Sequence, residues 1–148
     1  MNCGMKQNLF NILLAVSMSV TIFSMDGKCL KVKSSRSTGT PVLICDSVDF
    51  RSDLTRVYGK LKGAPHTSHR IDAVKLQSSG VQATDIDGVD IKRWFQWEED
   101  GVIPVEIDFP PMKERSSLII EAATPRETAI WTIVTVPTRA AKRKKNTK

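Results

Sequence analysis

Histidine and cysteine, the residues that most often carry metal binding and nucleophilic chemistry, are scarce here: two and three, respectively, in 148 residues. The cysteines form no C-x-x-C pair, which excludes thiol–disulfide exchange of the thioredoxin kind. No G-x-S-x-G elbow, no H-E-x-x-H pair and no phosphate-cradling glycine loop occurs. Serine-hydrolase, zinc-protease and nucleotide-binding chemistries therefore lack their sequence signatures. Helix signals are also missing beyond residue 24, where no stretch of about ten residues repeats its apolar positions at helical spacing. That excludes helix bundles and alternating β/α sheets.

A net positive charge is likewise absent from most of the chain, despite a net +6 overall. Lys6 is the only charge in residues 1–24, and six basic residues crowd into 139–148. Without these two segments, residues 25–138 carry a net −1. A nearly neutral body offers no basic groove to continue a nucleic-acid contact. The tail alone is a solvated charge run, able to meet nucleic acid, lipid A phosphates or acidic glycans only by plain electrostatics.

What is present begins with a leader. Residues 9–23 carry no charge and are apolar or small apart from Asn11, and Lys6 precedes them. That is the pattern of a secretory signal, which must enter the bilayer as a short helix before cleavage. The run is short for a spanning helix of about 20 residues, and a buried N-terminal helix is the alternative. We assign residues 1–24 to a signal peptide, with Ser24 and Gly27 small enough to stand beside a cut. Cys29 follows Asp26-Gly27-Lys28, a poor match to a lipoprotein site, so simple cleavage is preferred over a lipid anchor. The expected location is outside the cytoplasm, in the periplasm or cell envelope.

Cys3 leaves with such a leader. Cys29 and Cys45 then form an even pair in an exported chain, and a disulfide between them is one reading. It would close a loop of about 15 residues, worth about 3 kcal/mol in the chain-entropy model. The other reading makes Cys45, inside the apolar run Val42-Leu43-Ile44-Cys45, a buried free thiol.

Residues 25–40 read as a linker or loose N-terminal segment, with 33–40 polar and small throughout. Strand signals then dominate 41–138. Residues 41–45 are apolar and β-branched, 56–61 alternate with Val57, Gly59 and Leu61 on one side, and 68–76 alternate again. The clearest strand is 102–109, where Val105, Ile107 and Phe109 interleave with Glu106 and Asp108 until Pro110-Pro111 ends it. Residues 117–122 and 128–136 are rich in β-branched side chains. About seven or eight short strands at this spacing predict an all-β antiparallel sandwich, immunoglobulin-like or jelly-roll-like, followed by the tail at 139–148.

The middle of the chain carries a resemblance. Asp85-Ile86-Asp87-Gly88-Val89-Asp90-Ile91, the cluster Trp94-Phe95-Gln96-Trp97, an acidic turn closed by Gly101, and Val105-Glu106-Ile107-Asp108-Phe109-Pro110-Pro111 follow in order. Over residues 46–122 this layout resembles the β-sandwich domain found ahead of the thioredoxin-like domain in exported redox proteins of Bacteroidetes. The resemblance implies a β-sandwich acting as an accessory module. The thioredoxin-like domain and its C-x-x-C are missing, so no catalytic residue carries over.

Three groups of residues are candidate sites. His66 and His69 could share a Zn²⁺ or Cu²⁺, but no third ligand stands near them in sequence. Asp85, Asp87 and Asp90 beside Gly88 offer hard oxygen ligands for Ca²⁺, without the glycine and glutamate positions of an EF-hand loop; the same residues also build turns for conformational reasons alone. Trp94 and Trp97 could form a ligand platform. In a regular strand they cannot share a face, whereas Phe95 and Trp97 can, so one face goes to the core and at most one tryptophan stays available. These features fit a non-catalytic exported binding or accessory module of the bacterial envelope. Its partner would be an envelope protein or a glycan, and no resident cofactor is required. The alternatives are a small secreted metal-dependent hydrolase built on His66, His69 and the 85–90 acids, and a nucleic-acid binder acting through its tail.

Overall fold

The structure, a computed structural model, describes residues 27–137; the segment expected to be a signal peptide and the basic run at 139–148 lie outside them. The described residues are all β, with ten strands and no helix. They are β1 (Lys28–Thr38), β2 (Val42–Phe50), β3 (Thr55–Lys62), β4 (Ser68–Arg70), β5 (Ala73–Leu76), β6 (Asp85–Asp87), β7 (Trp94–Gln96), β8 (Val102–Phe109), β9 (Ser117–Ala123) and β10 (Thr128–Thr135). Eight form one antiparallel sheet in the order β5-β9-β10-β1-β2-β3-β8-β6, and β4 pairs with β7 as a small satellite. The large sheet curls into a sandwich-like shape. Its inner faces meet in one core that joins Val57, Leu61, Val105 and Ile107 of one wall to Ile120, Trp131 and Ile133 of the other.

β1 makes the curl. Lys28 to Lys31 pair with β2, whereas the positions from Val32 to Thr38 pair with β10, and the register shifts at Lys33 between the two. An extra residue of this kind bends a strand and sharpens its twist. As β1 leaves β2, the backbone of β2 loses its ladder partner, and serine hydroxyls take over. Ser35 Oγ donates to the Leu43 carbonyl at 3.0 Å and accepts from the Cys45 amide at 3.2 Å. Ser37 Oγ accepts from the Leu43 amide at 3.0 Å and donates to the Leu43 carbonyl at 3.3 Å. Residues 33–38 are therefore a central strand, not the loose segment expected from their composition. Small hydroxylated side chains are what the hand-over needs, because they satisfy main-chain groups at short range.

The β1–β2 turn is tied to the opposite wall. Glu127 Oε2 accepts from the Thr40 amide and hydroxyl at 2.9 and 3.0 Å. The buried Trp131 indole donates to the Pro41 carbonyl at 2.9 Å. β3 follows the expected alternation, with Thr55, Val57, Gly59 and Leu61 buried. β8 departs from it, since Asp108 is also buried. Arg56, its cross-strand neighbour, donates Nε and Nη2 to the two Asp108 oxygens at 2.7 and 2.8 Å. A paired carboxylate of this kind needs no open water. On the other side of Arg56, burial pushes the Asp49 carboxyl above its ordinary range, opposed by Arg51 and Arg56.

Two further expectations change. The single strand read over 68–76 is two strands in different sheets, because the chain passes from satellite to main sheet at Ile71-Asp72. The change of sheet resets the alternation, so Val74 and Leu76 are buried. The Cys29–Cys45 bridge does not form: Cys45 is a buried free thiol. Cys29 lies opposite Asp49 in the register, four positions along β2 from Cys45. That is roughly 13 Å of extended strand, against the Cα separation of under about 7 Å that a disulfide needs. Burial, with Asp46 adding to it, pushes the Cys45 thiol up to about 12, so it stays protonated and unreactive near neutral pH.

Two stability measurements check this description. Ser35→Ala leaves the Cys45 amide without its acceptor and is expected to lower the unfolding free energy by about 1–3 kcal/mol, read from urea denaturation. Ser35→Thr should retain most of it, and an unchanged Ser35→Ala midpoint would show that the hydroxyl does not bridge the strands. The Thr55 hydroxyl is fully buried with no hydrogen-bond partner. Thr55→Val is therefore expected to raise stability by about 1 kcal/mol, and a loss of stability would contradict that placement.

Candidate functional site

The satellite sheet sorts its side chains by parity. β4 and β7 pair as Ser68↔Gln96, His69↔Phe95 and Arg70↔Trp94. His69 and Phe95 share the inner face with Trp97, just beyond β7. Trp97 is fully buried, with ring centroids 5.3 Å from Phe95 and 5.8 Å from His69 in edge-to-face geometry. Its indole N–H donates to His69 Nδ1 at 3.0 Å. Main-chain bonds clamp it on both sides, from the His66 amide to the Trp97 carbonyl and from the Trp97 amide to the Thr67 carbonyl, each 2.9 Å. Gly63 passes so close to this indole that a Cβ there would overlap Trp97. Only glycine lets the backbone approach this closely.

The outer face carries Ser68, Arg70, Trp94 and Gln96. Trp94 is 61% exposed, and the Arg70 guanidinium lies 5.2 Å from its ring centroid. Arg70 is fixed in turn by Asp72, which accepts from its Nε at 2.7 Å. One ring face is thereby held by a cation–π contact, and the other is left to solvent.

Asp72 also borders a pocket of about 450 Å³. The pocket lies where the curled sheet nearly closes. The segment between β5 and β6 ties edge strand β5 to β8, with the Ala83 amide donating to the Val74 carbonyl at 2.9 Å and the Thr84 amide to the Asp108 carbonyl at 2.7 Å. Asp72, Gln82, Thr84, Asp85, Asp90 and Lys92 supply its polar lining, over a floor that includes Val74, Ile86 and Ile91. The Lys92 amide donates to the Ile71 carbonyl at 2.7 Å and pins the loop after Gly88 beside the satellite sheet. At Gly88 itself, φ is 113° and a Cβ would overlap the Pro104 carbonyl.

The residues singled out from sequence are distributed as follows. Of the two tryptophans proposed as a platform, Trp97 belongs to the core and Trp94 faces out. His69 spends Nδ1 on Trp97, and His66 is exposed in a left-handed backbone conformation (φ 65°). Asp85 and Asp87 flank buried Ile86 on β6 and are both exposed. Asp85 and Asp90 border the pocket, Asp87 does not, and Asp90 lies 3.8 Å from Arg93. Among the described residues, no three His, Cys, Asp or Glu side chains converge as metal ligands. Among the described residues, the acids expected to hold Ca²⁺ are thus not gathered at one point, and no third ligand joins the two histidines. Sequence reasoning missed Arg70, Asp72, Gln82 and Lys92. The closely spaced Arg70 and Asp72 were the only signal, since the pocket joins three separate stretches of chain. The chain matches no family model, no curated protein and no solved structure.

The His69–Trp97 bond gives the satellite a pH dependence. Burial lowers the His69 pKa from its ordinary 6.5, Arg126 adds to the effect and Glu127 opposes it. The folded form thus binds this proton less readily than the unfolded chain. The contribution of His69 is complete above about 6.5 and is lost as pH falls through the depressed folded value. The urea midpoint of the wild type should therefore fall more than that of His69→Gln between about pH 7 and pH 5. Equal slopes would contradict the assignment.

Proposed function

We propose that this chain is a non-catalytic binding or accessory module, exported to the cell envelope, that holds an envelope protein or a glycan against its Trp94 face. The observation that carries this reading is the exposed Trp94 ring, braced by Arg70 on a sheet whose other side is anchored through Trp97. A large aromatic surface left in water forgoes about 1.5–3 kcal/mol of burial, which a partner covering the ring recovers. Aromatic and arginine side chains together are the usual anchors of protein contact surfaces. The uncharged run at 9–23 supports export. The sequestered Cys45 thiol and the committed His69 Nδ1 supply no nucleophile–base pair.

The test is cosedimentation of the purified protein with isolated host envelopes, together with the intact mass of the native protein. Wild type should be retained, and Trp94→Ala should weaken retention about tenfold without changing the thermal midpoint. The native mass should begin near residue 25. Equal retention of both proteins, or a full-length mass in the cytosolic fraction, would overturn the reading.

A further inference from the structure

We infer that the ligand of the Trp94 face is an uncharged or amino-bearing saccharide, one unit of which enters the pocket bordered by Asp72, Asp85 and Gln82. This rests on the binding-module reading above and names its ligand class. The volume of about 450 Å³ lies within the range of small-molecule sites and has room for about one or two sugar rings. Its lining mixes acceptors and donors. Three carboxylates and the Gln82 carbonyl accept hydrogen bonds, while Lys92 and the Gln82 amide donate them. A sugar hydroxyl both donates and accepts, so a polyol satisfies both sets at once. The part-exposed Ile91 in the same lining offers apolar surface to the C–H face of a pyranose.

Charge narrows the class. Asp72 is neutralised by Arg70, and Asp90 has Arg93 at 3.8 Å in full exposure to water. Asp85 lies in the same lining as Lys92. Lys92 is the one cation among the lining residues against three carboxylates, so a phosphate, sulfate or carboxylate group would meet a lining that is acidic overall. Continuity supplies the second contact. Asp72 borders the pocket, Arg70 bonds Asp72, and Trp94 stacks on Arg70. An oligosaccharide with one unit in the pocket would run past Asp72 and Arg70 to the Trp94 ring, where a further unit would wrap over the ring edge onto its open face.

The experiment is a printed array of neutral, amino-bearing and anionic glycans, probed with the full-length mature protein and four variants. Wild type should bind neutral or amino-bearing glycans. Asp85→Asn and Gln82→Ala should each weaken that binding about tenfold, Trp94→Ala should weaken it as well, and Asp87→Asn, outside the pocket, should leave it unchanged. Asp85 and Gln82 are exposed, so their variants keep the fold, which thermal midpoints confirm. No binding to any glycan, binding to anionic glycans alone, or neutral-glycan binding indifferent to Asp85→Asn and Gln82→Ala would each overturn the inference. If glycans fail while Trp94→Ala still loses envelope retention, the saccharide is wrong and the binding module stands. If retention is also indifferent to Trp94, both fall.

Discussion

The fold depends on one strand serving two walls. β1 has only one set of backbone groups on each side, and it spends them first on β2 and then on β10. A strand that changes partners leaves main-chain donors and acceptors exposed on the neighbour it abandons, and buried unpaired groups of that kind are costly. Ser35 and Ser37 resolve this by returning hydroxyls to Leu43 and Cys45. The sheet can then curl until edge strand β5 comes close enough to β8 for residues 83 and 84 to bridge them. Both the common core and the pocket at the seam follow from that closure.

The satellite sheet uses the core differently. Two three-residue strands cannot stand alone in water. They persist because Trp97 fills the space beneath them, bonded to His69 and overlain by Gly63. The buried tryptophan is thus the foundation of the exposed one. Trp94 sits three residues earlier on a strand whose parity is fixed by Phe95 and Trp97, and the Arg70 guanidinium packs over its ring at 5.2 Å from the centroid. If Trp94 meets a ligand as proposed, most of the cost of ordering its side chain falls on the fold and not on binding, which is what preorganisation means for affinity.

The all-β class and the antiparallel order were legible because period-2 alternation survives wherever one strand face is buried, as in β3 and most of β8. Residues 33–38 were not legible as strand, since serine-rich composition ordinarily signals a loop and the reason for those serines lies ten residues away in Leu43 and Cys45. Asp108 likewise looked like a solvent residue until its register partner Arg56 was known. At the site, parity alone separated Trp97 from Trp94, and that much could be read from the sequence. The pocket could not, because Asp72, Gln82 and Lys92 meet only through the closure of the sheet.

The claim at the centre of this account is that Trp94 is held rigid in the open by a buried neighbour. Nitrogen-15 relaxation and solvent exchange of the three tryptophan indoles measure this directly. The account expects an order parameter near 0.85 for Trp94 as well as for Trp97 and Trp131, with fast solvent exchange at Trp94 alone. An order parameter below about 0.6 at the Trp94 indole, or rapid exchange at Trp97, would contradict it.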